Sequence, residues 1–164
     1  MQQNLTKSKK RKNDVMYTPV DLAVQAIATI PIEPNDILYD PWRGGGVFYE
    51  NFPEENNKFY SEITEGLDFF ECDKQCDWII SNPPWSCLTK VLEKCATVCR
   101  KGFGIIILST ALSTKRISLM KEMGFVLTQI GVCEVKDWFG FNCLCVVFEK
   151  TDRATPVLSF SGRF

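Results

Sequence analysis

The chain has 164 residues, 45% of them hydrophobic and 24% charged, with a net charge of −1. That length and composition fit one globular domain with a full core, and no apolar stretch approaches the roughly 20 residues needed to cross a bilayer. The charge is uneven: residues 1–14 hold Lys7, Lys9, Lys10, Arg11 and Lys12 against Asp14, a net +4, which leaves −5 on the body.

Residues 1–14 are polar and basic, without the apolar segment of a secretory leader, and read as a disordered arm on an intracellular protein. Lys9, Lys10 and Arg11 on such an arm suit contact with phosphates. A solubilising or nuclear-targeting tail is the alternative. Thr18-Pro19-Val20-Asp21 then opens a helix, with Thr18 as cap, Pro19 in the first turn and Asp21 where a capping-box acid belongs. Ala23, Ile27 and Ile30 form its apolar stripe, and Pro31 and Pro34 end it. Ile37-Leu38-Tyr39 is a short buried strand that runs into Asp40-Pro41-Trp42-Arg43-Gly44-Gly45-Gly46, followed by a short helix from Val47 to Phe52. Lys58 to Ile63 is a second strand, Cys76 to Ser81 a third, and Ser86 to Arg100 a helix with Leu88, Val91, Leu92 and Cys95 inward. The continuous apolar run Gly104 to Ser109 suits a strand buried on both faces. A helix from Ser113 to Met123 stops at Gly124, and Phe125–Val135 and Asn142–Lys150 alternate as an antiparallel pair. Residues 151–164 lack a period and read as a tail. Strands alternating with helices, then a hairpin, give a mostly parallel α/β sheet with an antiparallel edge.

Eight cysteines without a secretory leader argue against a disulfide framework. With no histidine and no C-x-x-C pair, they also argue against zinc, so no metal is expected. The expectation is reduced thiols acting as small apolar residues, Cys95 and Cys99 on one helix face and Cys143 and Cys145 on one strand face.

Three motifs carry chemistry. Asn82-Pro83-Pro84-Trp85 ends a buried strand, because neither proline can donate to a ladder. The turn leaves an amide side chain, a proline carbonyl and a large aromatic face at a strand's C-terminal end, where open α/β sheets bind ligands. Such a set can accept hydrogen bonds from a planar amino group and stack on the ring that carries it. Asp40-Pro41-x-x-Gly44-x-Gly46 follows a strand, and glycines there let the backbone approach a ligand closely. It is not a phosphate-binding Walker loop, since no Gly-Lys-Ser/Thr occurs. Glu62, at the end of the next strand, stands where an acid accepts from ribose hydroxyls. Asp68 and Phe69-Phe70 offer an acceptor and flat apolar faces for a purine.

Taken in order, Tyr17-Thr18-Pro19, Asp40 to Gly46, Glu62, Asp68-Phe69-Phe70 and Asn82 to Trp85, over residues 15–150, resemble the S-adenosylmethionine-dependent amino-methyltransferases, above all the N6-adenine nucleic-acid enzymes. The motif order, cofactor first and catalysis second, is like that of their gamma group. The resemblance implies a Rossmann-like class I methyltransferase fold with S-adenosyl-L-methionine as cofactor. It implies that Tyr17, Thr18, Pro19, Asp40, Pro41, Gly44 and Gly46 serve the methionine end, Glu62 the ribose, and Asp68 and Phe69 the adenine. Asn82, Pro83, Pro84 and Trp85 are the implied catalytic motif, with Trp85 stacking on a flipped or single-stranded base. DNA is the expected substrate. RNA, a protein glutamine amide, or a non-catalytic binding subunit are the alternatives, and N4-cytosine methylation usually carries Ser or Thr before Pro-Pro.

The chain departs from the family between Glu62 and Asp77, where a helix and a further strand normally fit; the third strand is expected to be short or missing. No insertion is large enough for a target-recognition domain. Specificity would come from the basic arm, the Trp138–Phe141 hairpin tip, the tail, or a partner subunit or second copy.

Overall fold

The computed structural model describes residues 16–136, 138 and 142–152, and the backbone of 157–163. The expected arm, with Lys9, Lys10 and Arg11, lies outside the described residues, as do 139–141 of the hairpin tip.

In chain order the elements are α1 (Val20–Ala28), β1 (Ile37–Asp40), α2 (Val47–Asn51), β2 (Asn57–Tyr60), β3 (Cys76–Ser81), α3 (Leu88–Val98), β4 (Cys99–Leu108), α4 (Thr114–Glu122), β5 (Val126–Glu134), β6 (Asn142–Glu149) and β7 (Val157–Arg163). The strands form one sheet in the order β2-β1-β3-β4-β6-β5-β7. β2, β1, β3 and β4 run parallel. β6 is antiparallel to both β4 and β5. The expected mostly parallel sheet with an antiparallel hairpin is therefore observed.

The middles of the central strands are apolar because helices cover both faces. On one face, Leu88, Val91, Leu92 and Cys95 of α3 pack against Ile79, Phe103, Ile105 and Phe148. On the other, Leu22, Ala23 and Ile27 of α1 and Phe48 of α2 pack against Trp78, Ile80, Ile106 and Val147. Successive residues of β3 and β4 thus alternate between two separate cores.

Several local expectations are corrected. Pro19 is the N-cap of α1, and no side chain caps this helix; the Thr18 hydroxyl has a distant partner described below. The helix expected to reach Arg100 ends at Val98, because Cys99 already pairs with Cys76 in the β3–β4 ladder. That strand continues through Gly102, where a Cβ would lie 2.4 Å from the Phe148 carbonyl oxygen and 2.5 Å from the Trp78 ring. Glycine is required there by close approach, not by a turn. β2 stops at Tyr60, so Glu62 sits beyond the strand as the N-cap of a 3-10 turn, Ile63–Glu65. Between β2 and β3 there are two 3-10 turns and a lone Glu62–Leu67 bridge, but no strand. The third strand of the usual fold is missing, as expected. The segment read as an aperiodic tail contributes β7, parallel to β5.

None of the eight cysteines is in a disulfide, and five are buried. Cys99 belongs to β4 rather than to the face of α3 that holds Cys95. Among the described residues no helix is long and apolar enough to cross a membrane.

Candidate active site

Parallel β1, β2 and β3 deliver their C-terminal ends to the same edge of the sheet. Asp40 closes β1, Glu62 follows β2, and Asn82 follows β3. A cavity of about 590 Å³ opens over these ends. Of the expected cofactor residues, Tyr17, Thr18, Pro41, Gly44, Glu62, Asp68 and Phe69 line it, and so do all four residues of Asn82–Trp85. Pro19, Asp40 and Gly46 are not among its lining residues.

Asp40 is fully buried. Its Oδ1 accepts the Ser81 hydroxyl at 2.6 Å, and its Oδ2 accepts the Tyr49 backbone N–H at 3.2 Å. The carboxyl expected at the methionine end instead ties the start of α2 to the last residue of β3, directly before Asn82. Burial pushes it up to about 6, while the Ser81 hydroxyl and the Tyr49 N–H pull the other way.

The glycine loop is shaped by Gly44 at φ 48° and Gly46 at φ 87°, left-handed values that disfavour a Cβ. Gly44 N–H donates to Glu62 Oε2 at 2.9 Å. Glu62 Oε1 accepts the Thr64 N–H at 3.0 Å and the Thr64 hydroxyl at 2.8 Å. The Thr64 donors, then Gly44, hold this carboxyl below the usual carboxylate range, so it is an anion at neutral pH. Those three bonds leave lone pairs free for a hydroxyl, since a carboxylate offers about four acceptor sites.

Asp68 caps the second 3-10 turn, Phe69–Glu71, its Oδ1 accepting the Phe70 N–H at 2.9 Å. Phe69 is buried, with its ring edge-on to Trp42 at 4.7 Å. Phe70, by contrast, is exposed at the cavity. Sequence reasoning missed Ile63, Leu67 and Met16 in the lining. Ile63 is 72% exposed; an apolar residue directly after Glu62 was its available signal.

The Asn82–Trp85 turn is held from below. Trp85 Nε1–H donates to the Ile106 carbonyl at 3.0 Å, and its ring meets Trp138 edge-on at 5.8 Å. Trp138 is buried, and its Nε1–H donates to the Tyr17 carbonyl at 3.1 Å. It is therefore a brace, not an exposed base reader as the hairpin-tip expectation allowed. The segment Met16–Thr18 forms a strap along the cavity, with the exposed Tyr17 ring 3.3 Å from where a Cβ on Gly45 would sit. Asn82 Nδ2 donates to Thr18 Oγ1 at 3.3 Å and to the Met16 carbonyl at 3.5 Å. Asn82 Oδ1 is buried and has no hydrogen-bond partner among the described residues.

No family model matches the chain, and no curated protein sequence does. Solved structures do match its fold. Magnesium protoporphyrin IX methyltransferase from Synechocystis, solved with bound S-adenosylmethionine, superposes with a TM-score of 0.64 at 11% identity, over 80% of this chain and 78% of that one. The fold is that of class I methyltransferases. A type I restriction-modification methyltransferase subunit from Streptococcus thermophilus gives 0.61 at 15% identity, over 88% of this chain. The match spans only 46% of that subunit. A Pyrococcus horikoshii protein assigned as an RNA methyltransferase gives 0.57 at 17% identity, over 80% of this chain and 82% of that one. The cavity lined by Glu62 and Asn82 lies at the C-terminal edge of the parallel strands, where open α/β sheets bind ligands.

Proposed function

We propose that the chain is an S-adenosylmethionine-dependent methyltransferase acting on the exocyclic N6 amine of adenine in DNA. The partnerless Asn82 Oδ1 carries this reading. A buried acceptor left unpaired costs about 1–3 kcal/mol, and an amine donor from a substrate relieves that cost. The cavity suits the cofactor: a glycine loop with left-handed turns, an anionic Glu62 that can still accept from a ribose hydroxyl, and the apolar Ile63 side chain and flat Phe70 ring for a purine. Tyr17, Thr18, Pro41 and Gly44 border the methionine end, and Asp68 and Phe69 the adenine end. Pro19, Asp40 and Gly46 shape the methionine end from outside the lining.

When bound, the cofactor supplies an electrophilic sulfonium methyl group. The protein's part is to make a poor nucleophile better. An adenine amine is weakly nucleophilic because its lone pair is delocalised into the ring. Hydrogen bonds from the amine to Asn82 Oδ1 and the Pro83 carbonyl favour a more pyramidal nitrogen. The stiff Pro83-Pro84 backbone fixes both acceptors, and Trp85, anchored through Ile106, presents a fixed face for stacking. This is catalysis by positioning and electrostatics, for which no histidine is needed. Lys9, Lys10 and Arg11 precede the strap that borders Asn82 and supply phosphate contacts in this reading. Target recognition is then shared with a partner subunit or a second copy.

The test is transfer of labelled methyl from S-adenosylmethionine to duplex DNA, single-stranded DNA, RNA and protein, with Asn82→Ala as control. The expected product is N6-methyladenine in DNA, with a loss of about 10²–10³-fold in Asn82→Ala. Label in RNA alone replaces the polymer but keeps the chemistry. Label only in protein overturns the nucleobase reading, and an unimpaired Asn82→Ala overturns the role of the amide.

A further inference from the structure

The Asn82 amide has two faces, and only one is engaged. Its Nδ2 serves Thr18 Oγ1 and the Met16 carbonyl, while its Oδ1 meets nothing. A backbone carbonyl can only accept, so Met16 demands the NH₂ side of the amide, and a hydroxyl can accept there as well. Thr18 is available for this because it does not cap α1, where Pro19 occupies the N-cap. The strap is clamped independently: Tyr17, between the two contact residues, gives its carbonyl to Trp138, which also braces Trp85. One buried tryptophan thus fixes both the stacking ring and the backbone that turns the amide.

Resting on the amine-methylation reading above, we infer that Thr18 is a positioning residue for Asn82, holding the amide so that Oδ1 is the group left for the substrate amine. If the amide turned over, two things would go wrong at once. Its NH₂ would face the amine's own donors, and its oxygen would face the Met16 carbonyl. The orientation of the acceptor is therefore set by a segment 64 residues away in sequence, and Thr18 does more than border the cofactor.

The experiment compares Thr18→Val, which keeps the shape and removes the hydroxyl, with Thr18→Ser, which keeps the hydroxyl. Three quantities are read: kcat against KM for S-adenosylmethionine, cofactor affinity by calorimetry, and the Asn82 side-chain NH₂ signals in an ¹⁵N spectrum, identified by their loss in Asn82→Ala. The expected result for Thr18→Val is a kcat reduced about tenfold, the loss of one hydrogen bond. Any change in cofactor KM and affinity is smaller than the change in kcat, and the Asn82 NH₂ signals shift. Thr18→Ser restores most of the rate and the wild-type signals. Weakened cofactor binding with kcat intact would make Thr18 a cofactor contact alone and overturn the inference, as would NH₂ signals unmoved by Thr18→Val. The spectrum separates the two claims: a wild-type protein that transfers no methyl refutes the proposed reaction, while the NH₂ signals still decide the tether.

Discussion

Replacing Asp40 with Asn tests the buried link between the glycine loop and the turn at Asn82. Asp40 is fully buried, and burial raises its carboxyl from 3.8 to about 6 despite the hydrogen bonds from Ser81 and Tyr49. The folded protein therefore binds this proton more tightly than the unfolded chain does. Below pH 3.8 both states are protonated and the site costs nothing. Between pH 3.8 and about 6 the unfolded chain loses the proton first, so stability falls as pH rises. Above about 6 the penalty is constant at about 3 kcal/mol, the free-energy equivalent of that rise. Asparagine carries no charge and can keep both contacts, accepting from the Tyr49 N–H through Oδ1 and donating to the Ser81 oxygen through Nδ2. Wild type is thus expected to lose about 2 kcal/mol relative to Asp40→Asn between pH 4 and pH 7, about 4–8 °C in Tm for a chain of this size. Urea or thermal unfolding of both proteins across pH 4–8 gives the answer, and the difference between them cancels shared groups such as Glu62 and Asp77. A difference that does not change with pH, or a wild type that gains on the variant as pH rises, refutes the reasoning.

Two further outcomes follow from single contacts. Gly102→Ala places a Cβ against the Phe148 carbonyl and the Trp78 ring, and neither can move away cheaply; the expected loss is about 3 kcal/mol in urea unfolding, and a loss below about 1 kcal/mol contradicts the packing. Glu62→Gln removes the anion that accepts from Gly44 and Thr64 and is proposed to accept from ribose; S-adenosylmethionine affinity by calorimetry is expected to fall about ten- to hundredfold, and unchanged affinity removes Glu62 from the cofactor site.

What the sequence shows and hides divides along physical lines. The turn at Asn82 was legible because two prolines end a strand by covalent geometry alone, whatever surrounds them. The central strands were legible because burial on both faces demands continuous apolar runs. The missing third strand followed from simple lack of length between Glu62 and Asp77. What stayed hidden depends on partners distant in sequence. Thr18-Pro19-Val20-Asp21 carries the local signs of a helix cap, yet the Thr18 hydroxyl goes to Asn82. Gly104 opens the expected strand, but β4 also takes in Gly102, and the reason for glycine lies in distant partners: a Cβ at Gly104 would sit 2.6 Å from Ile30 Cδ1, so bulk from neighbouring elements fills the space. β7 has no period to read, and its ladder is supplied by β5. The motif of Asp40 reads as a cofactor contact because it borders the loop; the buried carboxyl instead accepts from Ser81 and Tyr49, partners that only the fold supplies.

The three polar side chains at the strand ends differ in how their oxygens are occupied, and that difference orders their roles. Both Asp40 oxygens are taken by the protein's own donors in a buried site, so its carboxyl builds the frame and has no access to a ligand. Glu62 accepts three bonds from the loop and its own turn but lies at the cavity, so it can shape the loop and still bind a hydroxyl. Asn82 alone has an oxygen with no donor while its nitrogen is fully engaged by the strap. A carboxylate at this position would repel the Met16 carbonyl, and an alanine would leave nothing for an amine to meet. An amide is the side chain that can be held by one face and react through the other, which is why the strap and the proposed chemistry meet at this residue.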